Sequence, residues 1–118
     1  MSGIVARILT ALASIGGALH AAPRKLDPPA PPMATAIASW YDEDGPGACG
    51  YGAQEGLRFA SLILTCGTKI WICHSGCVTA TMADHGPYVA GRTFDLNVNL
   101  RDAISCTDLC TVRWRVIP

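Results

Sequence analysis

The segment Asp84-His85-Gly86-Pro87-Tyr88-Val89-Ala90-Gly91-Arg92-Thr93-Phe94-Asp95-Leu96 carries two carboxylates eleven residues apart. The first opens a Gly-Pro turn. The second lies between Phe94 and Leu96 on a short predicted strand, Thr93–Leu96. A carboxylate pressed among apolar groups loses hydration, which disfavours its charged form and raises its pKa. Such a group suits proton donation near neutral pH. On residue type alone, Asp84 reads as a turn residue that accepts hydrogen bonds from backbone amides. Asp95 reads either as an acid or as a structural carboxylate paired with Arg92 or a loop amide.

On either side the chain reads as short strands between glycine-rich turns. Thr68–Cys73 and Cys77–Met82 alternate and are rich in β-branched residues, with His74-Ser75-Gly76 as a hairpin loop between them. Upstream, Ala34–Tyr41 (ATAIASWY) is strand-like at its aromatic end, and Asp42–Tyr51 (DEDGPGACGY) is a turn-rich loop. Leu57–Leu64 is apolar and expected to be mostly buried. Downstream, Asn97 or Asn99 caps a brief helix through Ile104. Thr111–Ile117 (TVRWRVI) closes as a strand, its Val and Trp alternating with arginines. The expected architecture is an all-β, compact barrel with one or two short helices.

The six cysteines are Cys49, Cys66, Cys73, Cys77, Cys106 and Cys110. Their spacing admits many connectivities and does not choose among them. Cys73 and Cys77 flank the hairpin loop, where cross-strand β-carbons approach bonding distance. Cys106 and Cys110 bracket a tight loop before the last strand, which leaves Cys49 and Cys66 for a longer bridge. Zinc is the alternative, since a C-x3-C pair falls within the spacing of a zinc knuckle and His74 and His85 are available. The compartment favours disulfides. Residues 1–22 have the three-part layout of a secretory signal peptide: Arg7, the apolar run ILTALASIGGALH over 8–20, then Ala21 and Ala22. That run is too short to span a bilayer comfortably. Residues 23–33 form a proline-rich linker, with PRKLDPPAPP over 23–32 holding five of the eight prolines. The remaining 34–118 form one domain, expected to be disulfide-stapled and exported.

Composition narrows the partners. The chain has 118 residues, with nine basic and nine acidic side chains and 50% hydrophobic residues. A balanced chain lacks the cationic surplus that phosphate backbones require, so nucleic acid is not an expected partner. No metal, cofactor or stable membrane insertion is expected, and the domain is expected to act as a monomer.

The quoted segment resembles the hallmark of the rare lipoprotein A family of lytic transglycosylases, D-R-G-P-x-V-x-G-R-x-x-D-L-S. Gly45–Gly52 (GPGACGYG) is similar to the G-G-A-C-G-Y-G segment of expansins. Thr93-Phe94-Asp95-Leu96 resembles the expansin H-F-D-L segment, and Val112–Val116 (VRWRV) resembles its closing strand. Ala38-Ser39-Trp40-Tyr41 looks like the first strand of both families. The resemblance covers Thr35 to Ile117 and implies a six-stranded double-psi β-barrel with an open polysaccharide groove. It implies a secreted protein active on cell-wall polysaccharide such as peptidoglycan, with Asp95 as general acid/base and Asp84 as a second acidic residue on the groove wall. Tyr41 matches an aromatic residue of that groove. The alternative is an expansin-like or barwin-like module that binds polysaccharide without cleaving it. His85 stands where the transglycosylases carry arginine, Asn97 where they carry serine, and Thr93 where expansins carry histidine.

Aromatic rings stack on flat sugar faces, and Tyr41, Tyr51 and Tyr88 lie at loop edges suited to that contact, with His85 and Arg92 as polar partners. Trp71 and Trp114 sit in alternating strands where either packs inside. Asp42-Glu43-Asp44 reads as a solvated acidic turn, or as the source of a second carboxylate for an inverting glycosidase.

Overall fold

The computed structural model describes residues 32–118. The expected signal peptide at 1–22 and residues 23–31 of the expected linker lie outside the described residues. Six strands and one helix follow in order: β1 (Ala34–Trp40), β2 (Arg58–Ser61), β3 (Lys69–Cys73), β4 (Cys77–Asp84), β5 (Phe94–Leu96), α1 (Val98–Ala103) and β6 (Cys110–Val116). The strands close into a barrel in the order β1-β5-β2-β4-β3-β6. Two neighbouring pairs, β1–β5 and β2–β4, run parallel. The other four are antiparallel. Consecutive strands mostly do not touch, so the connections cross over the barrel, as the expected double-psi arrangement requires.

Alternation fills the interior. Phe59, Ile70, Ile72, Met82, Phe94 and Val112 are fully buried. Phe94 meets Phe59 and Trp114 edge-to-face, with ring centroids 5.1 Å and 4.9 Å apart. Trp114 therefore packs against the core. Trp71, on β3 in register with Arg115, stands outside the core cluster. Helix α1 plugs one end with Leu100, and Ile104 at its C-cap is also buried. Asn97 is the N-cap, its side chain accepting from Leu100 N at 2.9 Å. Its Nδ2 also donates to the Ala53 and Gly56 carbonyls, at 3.1 Å and 2.9 Å. This buried asparagine thus ties the helix start to the loop before β2. A serine there could cap the helix but could not reach both carbonyls.

All six cysteines are bridged: Cys49–Cys66, Cys73–Cys77 and Cys106–Cys110. None is left as a thiolate for zinc.

The expectation for Leu57–Leu64 needs correction. Phe59, Ala60 and Ser61 are buried, but Leu62 and Ile63 are 55% and 62% exposed. The cause is local. The Ser61 hydroxyl accepts from the amides of Ile63 and Leu64, at 3.0 Å and 3.2 Å, and turns the chain out of the sheet.

Candidate functional site

Strand register builds the site. Asp95 lies at the middle of β5, where its inward neighbours Phe94 and Leu96 are fully buried. Its side chain therefore points to the outer face. Beside it in register stand Ser39 on β1 and Ala60 on β2. Both are small, so the barrel wall is open above the carboxyl.

Asp84 joins the same row through an irregularity. Arg58 and Phe59 pair with Thr81 and Met82, but the register shifts so that Ala60 pairs with Asp84 and not Ala83. Plain alternation would put Asp84 on the inward side with Ala80 and Met82. One extra residue turns it outward, as a β-bulge re-aims a side chain. The Ala83 carbonyl instead accepts from Cys49 N, at 3.3 Å. The row across four strands is thus Ser39, Asp95, Ala60, Asp84. Two strand spacings put the Cα atoms of the two aspartates roughly 10 Å apart.

The two carboxylates are held differently. Asp84 Oδ1 accepts from the amides of Ala48 and His85, at 2.7 Å and 2.8 Å. It anchors the glycine-rich loop, as its residue type predicts. Gly47 presses on it so closely that a Cβ there would meet Ala83 O at 2.5 Å and Asp84 Cβ at 2.9 Å. Asp95 accepts from Ser39 Oγ at 3.0 Å. Burial holds the Asp95 carboxyl above the usual carboxylate range. The Ser39 bond opposes this, and Glu43 and Asp84 add to it while Arg92 works against it. Among the described residues Asp95 has no ion-pair partner within 4.0 Å, so Arg92 acts on it at longer range.

Tyr41 follows β1 and is pinned by its amide to Leu96 O at 2.9 Å. Its hydroxyl pKa is pushed up to about 12, first by burial and then by the charges of Asp84, Asp95 and Glu43. It stays a proton-bearing donor at any physiological pH. Gln54 clamps the turn after it, donating to the Tyr41 and Glu43 carbonyls at 3.1 Å and 3.3 Å.

These groups surround a cleft of about 490 Å³. Its floor is the Ser39–Asp84 row. One wall is Trp40–Glu43, and the other is the loop from His85 to Arg92. Tyr88 stands on the rim, 79% exposed. Asp42, Glu43, Asp84 and Asp95 outweigh Arg92, so the cleft is acidic. Six of the seven residues singled out from sequence meet here: Asp84, Asp95, Tyr41, His85, Tyr88 and Arg92. Tyr51 does not line this cleft. Its ring lies under the Arg58 guanidinium, 5.2 Å away. Ser39, Ala60 and Gln54 were not foreseen. The signal for Ser39 is a hydroxyl beside the aromatic end of an otherwise mostly apolar strand, Ala34–Trp40. For Gln54 there was none, because both its partners are distant in sequence.

No protein-family model matches the sequence, and no curated protein does. Solved structures do share the fold. Streptomyces papain inhibitor superposes with a TM-score of 0.62 at 18% identity, over 78% of this chain and 100% of the inhibitor. The expansin of Clavibacter michiganensis superposes with a TM-score of 0.61 at 17% identity, over 73% of this chain. The match spans 50% of that expansin's own length.

Proposed function

We propose that the cleft binds a cell-wall polysaccharide and that Asp95 acts on it as general acid and base, in the manner of a peptidoglycan lytic transglycosylase. The observation that carries this is the half-buried Asp95 carboxyl on an open floor, with its pKa raised and, among the described residues, only Ser39 bonded to it. In its protonated form Asp95 gives its proton to the glycosidic oxygen as the bond to the anomeric carbon breaks. The sugar's own 6-hydroxyl attacks that carbon and passes its proton to the Asp95 carboxylate. The acid is regenerated, a 1,6-anhydro ring forms and no water is consumed. Tyr41, whose hydroxyl donates to the Ala53 carbonyl at 3.4 Å, accepts from a sugar hydroxyl, and the exposed Tyr88 ring offers a stacking face at the rim. The three disulfides and the likeness to an expansin support an extracellular location.

Digestion of purified sacculi with mass analysis of the soluble products tests the reading. Wild type is expected to release anhydro-muropeptides and Asp95→Asn none. Equal release by both removes Asp95 from the chemistry. Retention of the protein on insoluble sacculi with no product from wild type supports a non-catalytic binding module instead.

A second reading, protease inhibition, is favoured by one observation. The match covers the whole of the papain inhibitor, and the exposed Leu62-Ile63 pair sits on a loop fixed by Ser61 at one end and Cys66 at the other. A papain activity assay separates it from the first. Inhibition abolished by Leu62→Ser/Ile63→Ser would establish it, and full papain activity at micromolar protein would remove it.

A further inference from the structure

We propose that the outer face of β3 and β6 is a second binding surface, for a carboxylated polysaccharide. The barrel order sets β3 and β6 opposite β5 and β2, so this face lies across the barrel from the cleft. The chain's zero net charge conceals a separation. Four carboxylates line the cleft, while Lys69, Arg113 and Arg115 gather on the opposite wall.

Register places them. Arg115 pairs with Trp71, and Arg113 is two residues earlier on the same face of β6. Lys69 is two residues before Trp71 on β3, and its Nζ reaches Thr81 Oγ1 on the next strand at 3.2 Å, which fixes its outward side. Strand geometry puts Arg115 roughly 5 Å from Trp71, with Arg113 and Lys69 each about 7 to 8 Å from the tryptophan on opposite sides of it. Among the described residues none of the three takes part in an ion pair. Trp71 is half-buried, lies outside the core cluster and, among the described residues, has no cation stacked on it. A tryptophan that adds nothing to the core is available as a platform. Thr79, in register with Trp71, and Thr35, in register with Arg113, add hydroxyls at the flanks.

The chemistry fits one partner. An indole face stacks on a sugar ring, a guanidinium takes a carboxylate through two parallel hydrogen bonds, and threonines take sugar hydroxyls. Three cations are too few to match a duplex that carries a charge about every 1.7 Å. The Cys73–Cys77 and Cys106–Cys110 bridges hold the ends of β3 and β6. They keep the face rigid, so that little order is lost on binding. This surface is independent of any chemistry at Asp95.

Affinity electrophoresis of the full chain through gels containing polygalacturonate tests the proposal, with neutral galactan as the comparison. Polygalacturonate is expected to retard the protein at low salt and to release it at high salt. Arg113→Gln/Arg115→Gln is expected to weaken retardation about tenfold. Lys69→Gln, exposed and away from the core, is expected to weaken it about threefold and tests the face if the double variant does not fold. Unchanged retardation in the folded variants overturns the proposal. So does equal retardation by neutral galactan. Tighter binding to dextran sulfate, to phosphatidylserine vesicles or to single-stranded DNA overturns it in favour of that other polyanion.

Discussion

Ser39 Oγ donates a 3.0 Å hydrogen bond to Asp95 Oδ1 across the parallel register of β1 and β5. The bond favours the charged carboxylate, against the burial that favours the acid. Ser39→Ala removes that opposition. The pKa of Asp95 is expected to rise further, because its charged form loses a hydrogen-bond donor. NMR titration of the Asp95 carboxyl carbon checks this. A downward shift would contradict the assigned role of the bond.

Asp95 also makes stability depend on pH, and the sign follows from its raised pKa. Below the unfolded-state value the group is protonated in both states and costs nothing. Between the unfolded and folded values the native state holds more protons, so stability falls as pH rises. Above both, the cost is constant. Asp95→Asn is therefore expected to raise Tm at pH 7 and to match wild type near pH 3. Thermal melts across that range decide the matter, and a variant less stable at pH 7 would refute it.

Gly47→Ala places a methyl within 2.5 Å of Ala83 O and 2.9 Å of Asp84 Cβ and Cγ. Backbone stands on one side, so the loop must move. A loss of about 1 to 3 kcal/mol is expected, as for overpacked sites, together with loss of the Ala48 amide bond to Asp84. Denaturant unfolding measures the first, and amide exchange at Ala48 reports the second.

The three bridges enclose loops of different length. Cys49–Cys66 spans 17 residues, whereas the other two span 4 each. Chain entropy makes the first worth about 3 kcal/mol and each short one about 2 kcal/mol. Paired Cys→Ser variants are expected to lose stability in that order. An equal loss for all three would show that unfolded-state restriction is not the main contribution.

Asn97→Ser keeps a capping oxygen at α1 but abandons the Ala53 and Gly56 carbonyls. The expected cost is about 1 kcal/mol, because two hydrogen bonds are lost while Gly56 O keeps the Asn99 amide at 3.0 Å and Ala53 O keeps the Tyr41 hydroxyl at 3.4 Å. Calorimetry checks it. A neutral result would mean water replaces the amide.

Features encoded locally were legible before the fold was known. The Phe94-Asp95-Leu96 alternation places Asp95 on a strand, Asn97 or Asn99 announces α1, and the hairpin loop suggests the Cys73–Cys77 bridge. What escaped depends on distant partners. Ser39 gains its role only through a pairing 56 residues away. The outward aim of Asp84 rests on one extra residue in β4, which no residue type signals. Tyr51 stands outside the cleft with the Arg58 guanidinium over its ring, a placement set by the fold and not by residue type. Leu62 and Ile63 read as core until the Ser61 hydroxyl turned the chain outward.

The floor of the cleft takes Ser39, Ala60, Asp84 and Asp95 from four different strands. No segment of the chain carries even a rudimentary version of it. Pairings so remote in sequence form late and slowly, since each must first close a long loop. The cleft floor therefore exists only once the strands have closed, and the binding proposed for it would report on the finished barrel alone.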